Sequence, residues 1–218
     1  MTEREFSKKA KAHVVYKLAD GTRVPGTTTI TGLLNKPALV KWANNLGLEG
    51  IDSSKYVDAA ASVGTLAHEM CEAYLRKERL DLSQYSPDDV TRARRAFRKF
   101  IGWTKGKRIE PLLLEEPLVS EKHQFGGTID ILANVNGTPT LIDLKTSKAL
   151  YPEHLLQVAA YDQLLVDNGY WSSEVYILRI GRVEDEGFEY RRVDRLRRRW
   201  RVFSHLLEVY RLQKELGA

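Results

Sequence analysis

The sequence predicts a mixed α/β fold in which helices flank a central mixed β-sheet. Two observations carry this. The apolar pattern is helical over the first hundred residues, turns to period two from about 111 to 146, and then runs helix, strand, helix. Within the period-two stretch, Asn136-Gly137 separates two apolar runs, the strongest short-range signal for a β-hairpin. The chain has 218 residues, 43% hydrophobic and 29% charged. That is enough for one sizeable core and an ordinary balance for a folded globular protein.

The elements follow in order. Residues 13–25 read as a hairpin, because β-favouring residues flank Asp20-Gly21. Short helices are expected over 27–34 and 38–46, the second beginning after Pro37. A longer helix is expected over 58–79. Another runs from 87 to about 105, opened by Ser86-Pro87-Asp88-Asp89, which supplies a cap, a Pro at the first helical position and acids in the first turn. Strands should occupy 111–121, 124–135 and 138–146, and 152–168 returns to helix. A strand over 173–180, a short one through Phe188 and Tyr190, and a long basic helix over 194–216 complete the chain. There is no repeat and no low-complexity linker, so 1–218 reads as one domain.

Composition excludes several classes. Cys71 is the single cysteine, so the chain alone can form no internal disulfide, no Cys-rich zinc site and no iron–sulfur cluster. No apolar run approaches the ~18 residues of a membrane span, and the polar start lacks the apolar stretch of a signal peptide. A cytoplasmic protein, in the host cytoplasm if the chain is viral, is the simplest reading. The formal charge is +5, with a pI near 9.2. Residues 191–218 hold nine Arg or Lys against three acids, which leaves the rest near neutrality. A basic end on a neutral body suits a polyanion, although a solvated helix face has the same composition.

The stretch richest in chemistry is Phe125-Gly-Gly-Thr-Ile-Asp130, followed across the hairpin by Asp143-Leu-Lys145. With a two-residue loop, Val135 pairs with Thr138 and Asp130 lies opposite Asp143. A four-residue loop forced by Pro139 would put Asp130 opposite Lys145. Either way Asp130, Asp143 and Lys145 share a face by alternation, with Ile142 and Leu144 on the other. Two carboxylates paired across strands repel, and a hard divalent cation such as Mg²⁺ or Mn²⁺ would compensate. Lys145 could then orient a nucleophilic water or stabilise developing negative charge, although the hairpin alone reads more often as a surface one whose Asp and Lys form a solvated ion pair.

Upstream, Gly64-Thr-Leu-Ala-His68 and Glu72 put a His and a Glu four apart on one helix face. Gly64 costs helix propensity and so hints at close approach there. Downstream, Gln157 and Tyr161 are again four apart on a helix. Taken singly, the His68/Glu72 pair is more often a surface hydrogen bond, and the Gln157/Tyr161 pair more often a polar helix edge, than a site.

In order and together, Gly64-Thr65 with His68, Gly126-Gly127 with Asp130, Asp143 with Lys145, and Gln157 with Tyr161 resemble the RecB-like branch of the PD-(D/E)xK nuclease superfamily. The resemblance covers about residues 60–165. It extends to the stretch 24–34, which is similar to the lead-in of phage-encoded members. It implies a restriction-endonuclease-like core and a metal held by His68, Asp130, Asp143 and the carbonyl of Leu144. Lys145 would position the attacking water, while Gln157 and Tyr161 would contact the scissile phosphate or order the site. Glu72, and on the preceding strand Glu115 and Glu116, would stand beside the metal ligands. Outside the resemblance, Arg195, Arg198 and Arg199 on the basic helix could meet nucleic-acid phosphates by their charge, with Trp200 as a stacking surface.

The reading is therefore one nuclease domain, with its core at about 60–180, an N-terminal hairpin and helices over 13–47, and the basic helix at 194–216. It would be a divalent-metal-dependent deoxyribonuclease and exonuclease of phage-type replication, recombination or repair. DNA would be its partner, together with replication or recombination proteins, and no membrane. Its cofactor would be Mg²⁺ or Mn²⁺. Iron–sulfur relatives carry four cysteines and this chain has one; it also lacks a Gly-x-x-x-x-Gly-Lys-Ser/Thr phosphate loop. The alternatives are a non-catalytic nucleic-acid-binding module of the same fold and a structure-specific or restriction-type endonuclease.

Overall fold

A computed structural model describes residues 14–34 and 36–217. A short hairpin, β1 (Tyr16–Lys17) and β2 (Arg23–Val24), leads into helices α1 (Thr27–Thr31) and α2 (Pro37–Leu48). Helices α3 (Ser53–Arg76) and α4 (Pro87–Thr104) follow, then strands β3 (Ile109–Ser120), β4 (Phe125–Val135) and β5 (Thr138–Lys145). The chain continues through α5 (Pro152–Asp167), β6 (Glu174–Ile180), β7 (Phe188–Arg192) and α6 (Leu196–Glu215). His13, expected at the start of the first hairpin, lies outside the described residues.

The main sheet has the order β3-β4-β5-β6-β7. It is antiparallel except between β5 and β6, which α5 connects as a parallel crossover. The expected mixed sheet flanked by helices is the fold observed. Helix boundaries differ most in α3, which starts five residues earlier than the sequence periodicity indicates. Asp52 caps it there, accepting from the N–H groups of Ser54 and Lys55 at 2.8 and 3.2 Å. The Ser86 cap of α4 is as expected, accepting from the Asp89 N–H at 3.1 Å.

Two cores lie on opposite faces of the sheet. One joins Val63, Leu66 and Met70 of α3 and Phe100 of α4 to Ile131, Ile142 and Leu144. The other joins Leu164 of α5 and Phe203 of α6 to Ile129, Leu132 and Leu141. Ile142 and Leu144 thus point into a core, as alternation predicts, but the opposite face is buried as well.

Strict alternation breaks at one place. Leu114 and Ile131 belong to the first core, while Leu118 and Ile129, each an even number of residues away, belong to the second. The faces of β3 and β4 therefore change over at Glu115 and Asp130. Glu115 has a positive φ of 49°, a left-handed conformation that costs a non-glycine residue about 1–2 kcal/mol. A helix on each side of the sheet can reach the side chains at this crossing.

The N-terminal segment is laid along the start of β4. Gly26 and Gly126 form a parallel bridge, the Gly126 N–H donates to the Pro25 carbonyl at 3.0 Å, and the Thr27 hydroxyl donates to the Gly126 carbonyl at 2.9 Å. Glycines at 126 and 127 are required by close approach from both sides. A Cβ on Gly126 would fall 2.3 Å from the Tyr16 ring, and one on Gly127 would fall 2.6 Å from the Tyr161 ring. Gly126→Ala should push the hairpin off the sheet, at a cost of about 1–3 kcal/mol. Thermal unfolding with limited proteolysis of the hairpin checks this; a parent-like melting temperature would refute the packing argument.

Candidate active site

The β4–β5 turn is the two-residue form. Val135 pairs with Thr138 and Ile131 with Ile142, and Asn136 and Gly137 both have positive φ, 52° and 85°, as a type I′ turn demands. That register aligns Asp130 with Asp143. The ladder ends there because the Asp130 carboxylate takes over a ladder bond: its Oδ2 accepts the Leu144 N–H at 2.7 Å. On its other side, β3 pairs Leu114 with Ile131 and Glu116 with Ile129, so Glu115 stands opposite Asp130. One aspartate is flanked by carboxylates from both neighbouring strands.

Helix α3 adds the histidine. A Cβ on Gly64 would lie 2.7 Å from the Thr146 hydroxyl, so the absence of a side chain lets α3 press against the end of β5. One turn later His68 reaches the sheet, with Nδ1 3.5 Å from Glu115 Oε1 and 3.9 Å from Asp130 Oδ2. One ligand atom from each of His68, Glu115 and Asp130 falls within 4.8 Å of the others. These residues could hold a metal ion.

Asp143 is not in that triad but stands beside it, facing Lys145, whose Nζ lies 2.6 Å from its Oδ2. The Asp143 side chain is 1% exposed and that of Lys145 15%. Lys145 serves Oδ2, while the buried Oδ1 has no hydrogen-bond partner among the described residues. A buried carboxylate oxygen without a hydrogen bond is costly. Together with the nitrogen and oxygen donors at hand, it fits a hard divalent cation.

The electrostatics point the same way. Burial pushes the Asp130 carboxyl up to about 7, with Asp143 and Glu115 adding to the rise and His68 and Lys145 opposing it. Asp143 is raised too, by burial, against the lowering effect of Lys145. Burial alone would lower His68, but Asp130 and Glu115 outweigh it and raise its pKa. The carboxylates lack enough positive charge around them.

Tyr161 reaches this site from α5, on the other side of the sheet. It is buried, its hydroxyl accepts from Gln157 Nε2 at 2.7 Å, and its pKa is raised well above the ordinary value by burial, then by Asp143 and Asp130. The Gln157–Tyr161 pair therefore faces the aspartates as a neutral couple. Leu144 contributes its N–H to Asp130, and its side chain lies in the first core.

Other expected residues fall differently. Glu116 is exposed on the strand beside the cluster, and Glu115 takes the inward place, because the β3–β4 register sets position 115 against Asp130. Glu72 binds Arg76 at 3.0 Å, and Arg76 in turn donates to the Leu114 carbonyl at 2.8 Å, bracing the strand next to Glu115. On α6, Arg199 donates to the Asp194 carbonyl at 2.9 Å and to its carboxylate at 3.2 Å. Arg195 lies 3.8 Å from the same carboxylate, and Arg198 is exposed. Trp200 packs among His123, Phe125 and Phe203, which makes it a core-side anchor rather than an open stacking surface.

Sequence reasoning missed Tyr16. Its hydroxyl lies 2.9 Å from the Thr128 hydroxyl. Burial raises its pKa; the Thr128 bond opposes this, and the charges of Glu115 and Asp130 add to it. The only signal was the glycine pair in a strand, which marks a close approach without naming its partner.

A five-stranded mixed sheet carrying two aspartates and a lysine across one hairpin, with a helical histidine above them, defines a restriction-endonuclease-like phosphodiesterase core. The chain belongs to the PD-(D/E)XK nuclease superfamily, whose family profile matches residues 40–213. Membership implies a divalent-metal-dependent nuclease acting on nucleic acid. A comparison with curated proteins returns no match. Among the described residues, no helix is long and apolar enough to cross a membrane.

Proposed function

We propose that this chain is a DNA exonuclease of the RecB-like branch, using Mg²⁺ or Mn²⁺ and working in phage-type replication, recombination or repair. The single observation that carries the reading is the His68, Glu115 and Asp130 cluster lying beside the Asp143–Lys145 pair. On this reading the whole chain acts as one nuclease domain in a cytoplasm, alongside replication or recombination proteins.

His68, Glu115, Asp130 and Asp143, with the Leu144 carbonyl, would hold the metal. A bound divalent cation supplies charge neutralisation for the carboxylates and Lewis acidity toward a phosphoryl oxygen. Lys145 orients the attacking water and stabilises charge on the phosphate as the P–O bond breaks. Asp143 fixes the ammonium in place, and the Gln157–Tyr161 couple holds the scissile phosphate. Arg198, exposed on α6, and Arg195 contact the phosphate backbone away from the cut, while Arg199 stays with Asp194.

The test is incubation of the purified protein with end-labelled linear single- and double-stranded DNA and with closed circular DNA, under Mg²⁺, Mn²⁺ or EDTA. Metal-dependent loss of the linear forms alone is expected. Cutting of closed circles would replace the exonuclease by an endonuclease. Binding of DNA without any cleavage would favour a non-catalytic module of the same fold.

A further inference from the structure

The metal cluster has a neighbour that metal chemistry leaves unused. Gly126, Thr128 and Asp130 alternate along β4, and the first two face the Tyr16 side chain from the N-terminal hairpin. The ring is seated across Gly126 and Gly26: a Cβ on either glycine would come within 2.3 and 3.0 Å of it. A half-buried phenol held so tightly has little freedom of its own. Its hydroxyl is paired with Thr128 at 2.9 Å, two residues from Asp130.

The pair has hydrogen-bonding capacity to spare. Each hydroxyl carries one proton and accepts through two lone pairs. The bond between them consumes one proton and leaves the other available as a donor. Beside a cluster of carboxylates a neutral donor is the group suited to a phosphate oxygen, since it adds no charge for the carboxylates to capture. The hairpin also brings β1 onto β3 and β4, so the pair stands at the edge of the cluster.

We propose that the Tyr16 hydroxyl, oriented by Thr128, is a substrate-contacting group that donates to a non-bridging oxygen of a phosphodiester next to the one being cut. This rests on the nuclease reading above. It gives the N-terminal hairpin a function, which is to carry a phosphate contact to the site. It also explains why β4 needs glycine at 126: the ring can be placed there only if the strand has no side chain.

The experiment measures equilibrium binding of short single- and double-stranded DNA by fluorescence anisotropy, with Ca²⁺ in place of Mg²⁺ to restrain cleavage. The protein is the full chain, as parent, Tyr16→Phe and Thr128→Val. A set of oligonucleotides carries one neutral methylphosphonate at successive positions. Tyr16→Phe keeps the ring on its glycine seat, and Thr128→Val keeps the shape of that side chain.

The parent should lose roughly tenfold in affinity at one position near the cut. Tyr16→Phe should bind the unmodified strand roughly tenfold more weakly and lose its sensitivity at that position only. Thr128→Val should show the same pattern with a smaller loss. A Tyr16→Phe protein as sensitive as the parent at every position would overturn the contact, including when its melting temperature falls, because the hydroxyl would then only staple the hairpin. Metal-dependent cleavage by the parent together with that result would leave the nuclease reading standing and remove this one. Failure of the parent to bind any strand would overturn both.

Discussion

Lys145→Ala is expected to cut DNA about 10²–10³-fold more slowly than the parent while remaining folded, the scale of loss seen when one preorganised transition-state donor is removed. The ammonium is held 2.6 Å from a carboxylate that is itself almost fully buried, so its position is fixed before substrate arrives. A group so placed contributes more to the transition state than to the bound substrate, and the loss should appear in kcat rather than KM. Removing the charge leaves Asp143 without its partner, and its pKa, already raised by burial, should rise further. The variant's stability deficit should therefore grow as pH rises and fade as pH falls and the carboxyl protonates. Lys145→Met, which keeps the length of the side chain, controls for packing. A folded variant of either kind that cuts at the parental rate would remove Lys145 from the mechanism.

Asp130→Asn should weaken Mg²⁺ or Mn²⁺ binding roughly 10²-fold or more and abolish cleavage, yet make the metal-free protein more stable at neutral pH. The sign follows from the carboxyl's displacement. Burial, ahead of the neighbouring charges, raises Asp130 from 3.8 to about 7 in the folded chain. Between those values the unfolded chain has ionised while the folded chain still binds a proton. Stability of the metal-free parent therefore falls as pH rises through this window, and the penalty is complete above about 7. It is on the order of 4 kcal/mol, at about 1.4 kcal/mol for each pH unit of displacement. Asparagine carries no such proton and still offers an oxygen to the Leu144 N–H, so the difference in melting temperature should open between pH ~4 and ~7 and then stay level. In the parent the proton competes with the metal, and affinity should fall by up to about tenfold per pH unit below 7. Calorimetry in buffers of different ionisation enthalpy reads the released proton. Metal affinity that is flat across this window would show that Asp130 is not a ligand.

These two residues show what made the site legible. The register that sets Asp130 against Asp143 was legible because an Asn-Gly turn is a local rule, whereas alternation alone does not place Asp130, since β4 changes face there. The Gln157–Tyr161 spacing was local in the same way, and the hydrogen bond it allows is present. Glu115 was harder. Its inward position depends on the pairing of β3 with β4 and on a left-handed backbone at one residue, and a run of Glu115-Glu116 gives no local reason to choose the first. The basic helix was legible as charge but not as a surface, because Asp194 takes up Arg199 and Trp200 turns to the core.

The sequence by itself determined the mixed sheet, the order of its elements and the hairpin that carries two aspartates and a lysine. All of these depend on periodicity and turn chemistry, which act between near neighbours in the chain. Only the tertiary structure decided that His68 and Tyr161 approach from opposite sides of the sheet, that Glu115 rather than Glu116 joins the cluster, and that Tyr16 is seated on Gly126. Those contacts join residues far apart in the chain, and their geometry is fixed by how close two backbones can pack, which no local pattern encodes.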